Sequence, residues 1–178
     1  PSEKDPTCAI KWAELLKEAG LPDGVFNVIQ GDHVAVNSLL NDDEVAAVSF
    51  VGSTPVAEHI YKTSSEKGKR VQALGGAKNH MIVVPDADVN STAKGLLASS
   101  MGSAGQRCMA ASVAVGVEGI DHIVDRLIDE AKNFKLGKDM GTIISKSSLE
   151  RITNYIDQAE KMGAKILLDG RKATIPSN

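Results

Sequence analysis

Short apolar segments rich in β-branched residues alternate along this chain with stretches of helical periodicity, and that alternation constrains the fold more than any other feature. Residues 45–51 are apolar almost throughout, which suits a parallel strand buried on both faces. Before them, Thr7 can cap a helix running to about Ala19, with Trp12, Leu15 and Leu16 on one face and Gly20 ending it. Residues 21–24 read as a turn, 25–29 as a short strand, and Gly31-Asp32 opens a helix through Leu40. Pro55 suits the first turn of a helix reaching about Ser65. Strands at 71–74 and 81–84 flank a bend at Gly75-Gly76, and the turn 85–88 can cap a helix over 89–101. Beyond a loop at 102–107 come a strand (112–117), an amphipathic helix (120–134), a helix (147–162) and a strand (165–168).

Helices between short apolar strands are the mark of βαβ units, so the expected class is α/β. A doubly wound, Rossmann-like nucleotide-binding unit would be followed by part of a second α/β unit. The change of pattern near residues 73–80 puts the expected boundary there, giving domains 1–73 and 74–178.

A chain of 178 residues can hold one domain with a sizeable core or parts of two. Its hydrophobic share of 42% and charged share of 24% are those of an ordinary globular protein. A net charge of −3 argues against a nucleic-acid or anionic-membrane surface as the main partner, and 3% aromatics weakens any case for base stacking. No apolar run approaches the ~20 residues needed to span a bilayer. The two cysteines, Cys8 and Cys108, look nothing like a secreted disulfide framework, so free thiols in a reducing compartment are expected: the cytoplasm, or the mitochondrial matrix in a eukaryote. His33, His59, His80 and His122 are scattered without ligand-like spacing, and no metal site is expected.

Cys108 follows a loop of small residues, Gly102-Ser103-Ala104-Gly105, and then Gln106-Arg107. Glycines there permit positive φ and let a substrate approach main-chain N–H groups, which can stabilise an oxyanion formed when a thiolate adds to a carbonyl. Arg107 beside it would favour the thiolate. Spacing alone leaves two readings of Cys108 open, a nucleophile or a buried structural cysteine.

The run Gly105-Gln106-Arg107-Cys108 resembles the active-site cysteine motif of the aldehyde dehydrogenase superfamily. The wider stretch from Gly102 to Ala110 is similar to its methylmalonate-semialdehyde, CoA-acylating branch. The likeness covers nearly the whole chain. Pro1-Ser2-Glu3 resembles the end of the adenosine-ribose motif, and residues 50–54 resemble the cofactor-phosphate turn. Residues 74–78 stand where the family has glutamate-leucine-glycine-glycine-lysine.

This resemblance implies NAD as cofactor, with Glu3 accepting from the adenine-side ribose and Gly52 and Ser53 at the pyrophosphate. Read without it, Gly52-Ser53-Thr54-Pro55 is equally a helix-capping turn. Ala57 stands where the family often has glycine. Cys108 is implied as the catalytic nucleophile, its own N–H as one oxyanion donor, and Arg107 as the group that binds the substrate carboxylate with a bidentate fork. Tuning of the thiol, or pairing with a structural acid, is the other reading of Arg107. Lys78, Asn79 and His80 are assigned packing and loop support.

Leu74, 34 residues before Cys108, falls where hydrolytic members carry a glutamate general base. Leucine cannot take a proton from water, so coenzyme A is the expected co-substrate and acyl acceptor. The expected reaction is NAD-dependent oxidation of methylmalonate or malonate semialdehyde to an acyl-CoA through a cysteine thioester. A hydrolytic dehydrogenase with a relocated base, or a non-catalytic α/β nucleotide-binding remnant, are the alternatives. Compared with the family, the chain is expected to begin inside the nucleotide-binding domain and stop inside the catalytic one. It would lack the second oxyanion donor, the ribose-side lysine, a late glutamate and the oligomerisation strand. The 178 residues alone are therefore expected to be inactive, and the parent enzyme to be a homo-oligomer.

Overall fold

The computed structural model of the chain describes residues 1–173. Residues 174–178 of the second expected domain lie outside them. Contacts divide the chain into two compact units, Pro1–Gly76 and Ala77–Asn178.

The first unit carries helices α1 (Thr7–Glu18), α2 (His33–Asn41) and α3 (Thr54–Glu66) and strands β1 (Ala47–Val51) and β2 (Arg70–Leu74). β1 and β2 run parallel, Ala47 opposite Arg70 and Val51 opposite Leu74, with α3 as the crossover. α3 buries Ala57, Ile60 and Ser64 on one face, and Leu40 of α2 is also buried. Full burial of an aliphatic side chain such as Ile60 or Leu40 stabilises by roughly 1.5–3 kcal/mol. Asp32 caps α2 by accepting from the Val34 N–H at 2.9 Å. That bond is the main reason its carboxyl sits below its usual range.

Three expectations fail in this unit. The first is burial of the strand at 45–51 on both faces: β1 has Ala47, Ser49 and Val51 exposed and Val48 and Phe50 only half-buried, because among the described residues β2 alone pairs with it. Thr7 is the first residue of α1 and not its cap. Pro6 already has near-helical φ and ψ (−86°, −14°), and its carbonyl accepts from the Ile10 N–H, so the helix starts a residue early. The strand expected at 25–29 is absent. The Val25 N–H donates to the Pro22 carbonyl and the Asn27 side chain to the Gly24 carbonyl, so turn chemistry wins. Val25, Phe26 and Ile29 remain exposed, with no neighbouring strand among the described residues to satisfy an extended backbone.

The second unit orders β3 (Asn79–Val83), α4 (Val89–Met101), a 3-10 turn (Gly102–Gly105), β4 (Ala111–Gly116), α5 (Asp121–Lys132) and α6 (Lys146–Lys161). β3 and β4 are parallel, with a register irregularity between Asn79 and His80. Their crossover α4 begins where the Asp88 carboxylate accepts from the Ser91 N–H at 2.8 Å. Ala93, Leu96 and Leu97 form its buried face. Val83, Leu96 and Ile123 make the core, packed by Met81, Val89, Ile120 and Leu127.

No strand forms at 165–168. After α6, Gly163 takes φ +96° and the Ala164 N–H closes on the Ala159 carbonyl, ending the helix in a tight wrap. Arg171 then staples the returning chain to α6, with Nη1 donating to Asp157 (2.6 Å), Nη2 to Glu160 (2.9 Å) and Nη2 and Nε to Asp169 (2.6 and 2.9 Å).

The Arg171 hydrogen bonds pull the Asp169 carboxyl down from 3.8 to about 2. A carboxylate with a depressed folded-state pKa adds stability above its unfolded value and loses it as pH falls through the folded one. The Asp169 contact to Arg171 is therefore complete above about pH 4 and lost as pH falls through about 2. An NMR titration of Asp169 should give a midpoint near 2, returning towards 3.8 in Arg171→Met. An ordinary midpoint in the unsubstituted protein would count against the staple.

Both units are α/β with parallel strands joined by a crossover helix. Among the described residues, no helix is long and apolar enough to cross a membrane.

Candidate active site

In the first unit, Gly52-Ser53 and Leu74-Gly75 leave the carboxyl ends of adjacent parallel strands, the position at which open α/β sheets bind ligands. Ser53 holds the N-cap position of α3 in an extended conformation, yet its hydroxyl makes no cap hydrogen bond. The first N–H groups of any helix lack partners within it, so this turn offers a free hydroxyl and main-chain donors at the positive end of a thirteen-residue helix. The turn is held from behind. The Gly52 N–H donates to the Leu74 carbonyl at 3.0 Å, and the Gly76 N–H donates to Thr54 Oγ1 at 3.0 Å. A side chain at Gly75 would meet Thr54 Oγ1 at 2.9 Å, which explains glycine there.

Glu3 lines a cleft of about 610 Å³ with Asp32, His33, Asn37, His59 and an apolar wall that includes Val56. His59 Nε2 lies 2.9 Å from Asn37 Oδ1. The cleft and the Ser53 turn fit a dinucleotide in chemistry, with carboxylate and hydroxyl groups for a ribose, apolar walls for a base and main-chain donors for phosphates. Leu74 ends β2, is 50% exposed and carries no proton acceptor.

In the second unit, Cys108 is a free, exposed thiol. The expectation left open, a buried structural cysteine, does not hold. Cys108 and Met109 are the central residues of a tight turn closed by the Ala110 N–H on the Arg107 carbonyl at 3.1 Å. Among the described residues the N–H groups of Arg107, Cys108 and Met109 take no acceptor. The thiol therefore stands at a turn tip with unpaired main-chain donors on and beside it, groups of the kind that can stabilise an oxyanion.

The approach to this turn is strained. Ser103 and Ala104 both take φ +54°, and Gly105 takes +71°. Left-handed conformation costs a non-glycine residue roughly 1–2 kcal/mol. Strain of this kind persists only where the surroundings over-determine it, and it gathers at functional sites.

Three polar side chains hold the turn. Asn79, at the start of β3, donates from Nδ2 to the carbonyls of Cys108 (2.9 Å) and Ala110 (3.0 Å). Arg107 folds back over the end of α4, where Nη2 donates to the carbonyls of Ala98 (2.6 Å) and Ser99 (3.0 Å). A cation on the last carbonyls of a helix is favourable. Gly102 makes room for it, since a Cβ there would lie 2.8 Å from the Arg107 Cζ. Arg107 Nε and Nη1 have no partner among the described residues. Gln106 spans Ser103 and the segment 142–144.

Sequence reasoning singled out Cys108, Arg107 and Ser53 but not Gln106 or the anchoring of Arg107 on α4. Among the described residues no group of three or more His, Cys, Asp or Glu side chains gathers as a metal site would require.

The aldehyde dehydrogenase family model matches residues 1–178. Malonate-semialdehyde dehydrogenase 1 of Geobacillus thermodenitrificans is 50% identical over 97% of this chain, which spans 37% of that relative. The mitochondrial, acylating methylmalonate-semialdehyde dehydrogenase of Arabidopsis thaliana is 46% identical over 99% of this chain and 30% of its own length. The crystal structure of methylmalonate-semialdehyde dehydrogenase from Oceanimonas doudoroffii superposes with a TM-score of 0.92 at 50% identity, covering 99% of this chain and 38% of that one. An NAD+ complex of an aldehyde dehydrogenase from Bacillus cereus gives 0.88 at 34% identity, covering 98% and 37%. With two parallel βαβ units, an exposed thiol at a turn tip and a match along its whole length, the chain belongs to the aldehyde dehydrogenase family.

Proposed function

We propose that this chain carries the nucleophile and part of the cofactor site of an NAD-dependent, CoA-acylating dehydrogenase of short carboxylated semialdehydes, malonate or methylmalonate semialdehyde. The observation that carries the proposal is the Cys108 turn, with an exposed thiol and unpaired main-chain N–H groups in one place.

The Cys108 thiolate adds to the aldehyde carbon, and the carbonyl oxygen becomes an oxyanion facing the turn's N–H groups. NAD, when bound, supplies the hydride acceptor. Loss of hydride from the thiohemiacetal leaves an acyl thioester on Cys108. Glu3 would accept from the adenine-side ribose, while Gly52 and Ser53 would meet the pyrophosphate with main-chain N–H groups and the free Ser53 hydroxyl. Release of the acyl group needs a second nucleophile. A thiol ionises far more readily than water and needs no strong general base. Leu74 offers none, which favours coenzyme A as acceptor and restores the Cys108 thiolate as acyl-CoA leaves.

Arg107 keeps Nε–H and Nη1–H free while Nη2 stays on α4, so a substrate carboxylate would accept from one of them at a time and not from the bidentate fork expected from the sequence, both forks of a guanidinium needing an Nη2 hydrogen. An anchored guanidinium binds a carboxylate with less loss of side-chain entropy than a free one. The names of the relatives support the semialdehyde class. Two free thiols agree with a reducing compartment, the bacterial cytoplasm or, as in the plant relative, the mitochondrion. A homo-oligomeric parent enzyme is part of the same reading.

The test is NADH formation by the full-length protein with each semialdehyde, with and without coenzyme A. Steady turnover only with coenzyme A is expected. Absence of NADH with both substrates would sink the proposal.

A further inference from the structure

The nucleophile turn does not hold itself in place. Ser103, Ala104 and Gly105 precede it in three successive left-handed conformations, two of them on residues that resist that region. Gln106 is the side chain that spans this strained stretch and a distant part of the unit. Its Nε2 donates to the Ser103 carbonyl at 3.1 Å and to the Thr142 carbonyl at 3.2 Å. Its Oε1 accepts from the Ile144 N–H at 2.8 Å. One amide thereby uses both of its ends, tying the residue two before Cys108 to a segment 36 and 38 residues downstream of it.

Asn79 and Arg107 also hold the turn, but each does so only as a donor to carbonyl oxygens. Gln106 alone needs a donor and an acceptor on one planar group. Neither a carboxylate nor an apolar chain of the same length reproduces that pattern.

From this geometry we infer that Gln106 is the positioning residue of the nucleophile, fixing the Cys108 thiol and the unpaired N–H groups of its turn against the segment 142–144. The inference rests on the reading of Cys108 as nucleophile. Gln106 acts through the loop, without contact to the reacting atoms. Without it the left-handed stretch is free to relax, and the thiol and its oxyanion donors lose their common alignment.

The experiment compares two variants of the full-length protein. Gln106→Met keeps the chain length and removes all three hydrogen bonds. Gln106→Glu keeps an acceptor for the Ile144 N–H but sets a carboxylate against the carbonyls of Ser103 and Thr142. Only the protonated acid can donate to one of them, and those carbonyls favour that form.

A displacement of the reacting group by about 1 Å can lower a rate on the order of 10²-fold. A fall in kcat of that order is expected for Gln106→Met, with KM for NAD unchanged. Alkylation of Cys108 by iodoacetamide should slow in parallel. The Gln106→Glu rate, taken relative to the unsubstituted protein, should climb as the pH is lowered from about 8 to about 6. A role confined to stability would lower the melting temperature without that recovery.

Full activity and alkylation in Gln106→Met would overturn the inference, as would a Gln106→Glu protein that tracks Gln106→Met at every pH. If the unsubstituted protein forms no NADH, the dehydrogenase reading fails separately. The alkylation series in the two variants then decides the positioning role by itself.

Discussion

Replacing Cys108 by alanine is expected to lower NADH formation by the full-length protein by roughly 10⁴-fold or more, the scale on which loss of an enzymatic nucleophile is felt. Binding of NAD should persist, because the residues proposed to hold it, Glu3, Gly52 and Ser53, belong to the other compact unit. The fold should persist too, since Cys108 is exposed and its hydrogen bond to Asn79 uses the main-chain carbonyl, which alanine retains. The result to look for is a protein that melts normally, still binds the dinucleotide and makes no NADH. Substantial residual turnover would show that another group carries the acyl intermediate.

The second large effect concerns Leu74. A positioned general base contributes roughly 10²–10⁴-fold to a step that must deprotonate its nucleophile. By the resemblance of position 74 to the general-base position of hydrolytic family members, Leu74→Glu should raise steady NADH formation in the absence of coenzyme A by at least about 10²-fold. The substitution should be tolerated. Leu74 is 50% exposed, and its fold contacts at the strand end include the main-chain bond from Gly52, which does not depend on the side chain. Surface changes of this kind usually stay within about 0.5 kcal/mol. Unaltered dependence on coenzyme A would mean that water activation in this enzyme is limited elsewhere. The account of Leu74 would then fall while that of Cys108 stood.

The elements that could be read from the sequence are those whose ends are written locally. α4 was expected over residues 89–101 and occupies them, because Asp88 is a strong cap and Gly102 cannot continue the helix without loss. α3 was similarly marked by Pro55 in its first turn. Strands fared worse where pairing, not composition, decides. Residues 25–29 have strand-like residue types, but Asn27 and Pro22 drew that backbone into turns. Residues 165–168 lost to the Gly163 wrap and the Arg171 staple, whose acids Asp157 and Glu160 lie on the helix before it.

The candidate site was named through motifs and not through geometry. Cys108 and Ser53 were singled out by the resemblance of their motifs to the family, while their glycine-bearing turns taken alone left a structural cysteine and a helix cap equally open. Left-handed Ser103 and Ala104 carry no sequence mark, because serine and alanine resist that region and nothing in their types signals it. The bonds of Gln106 to Thr142 and Ile144 join positions 36 and 38 apart, a separation no local pattern reports. Arg107 was read as binding the substrate carboxylate, tuning the thiol or pairing with a structural acid. Its hold on the α4 carbonyls depends on how the helix ends, and only the folded chain shows that.

The account turns on Cys108 becoming acylated. The most direct measurement is the intact mass of the full-length protein after incubation with semialdehyde and NAD without coenzyme A, followed by peptide mapping. One acyl group on Cys108, removed on adding coenzyme A, is the result the account predicts. An unmodified Cys108 alongside accumulating NADH, or an acyl group on Cys8, would contradict it.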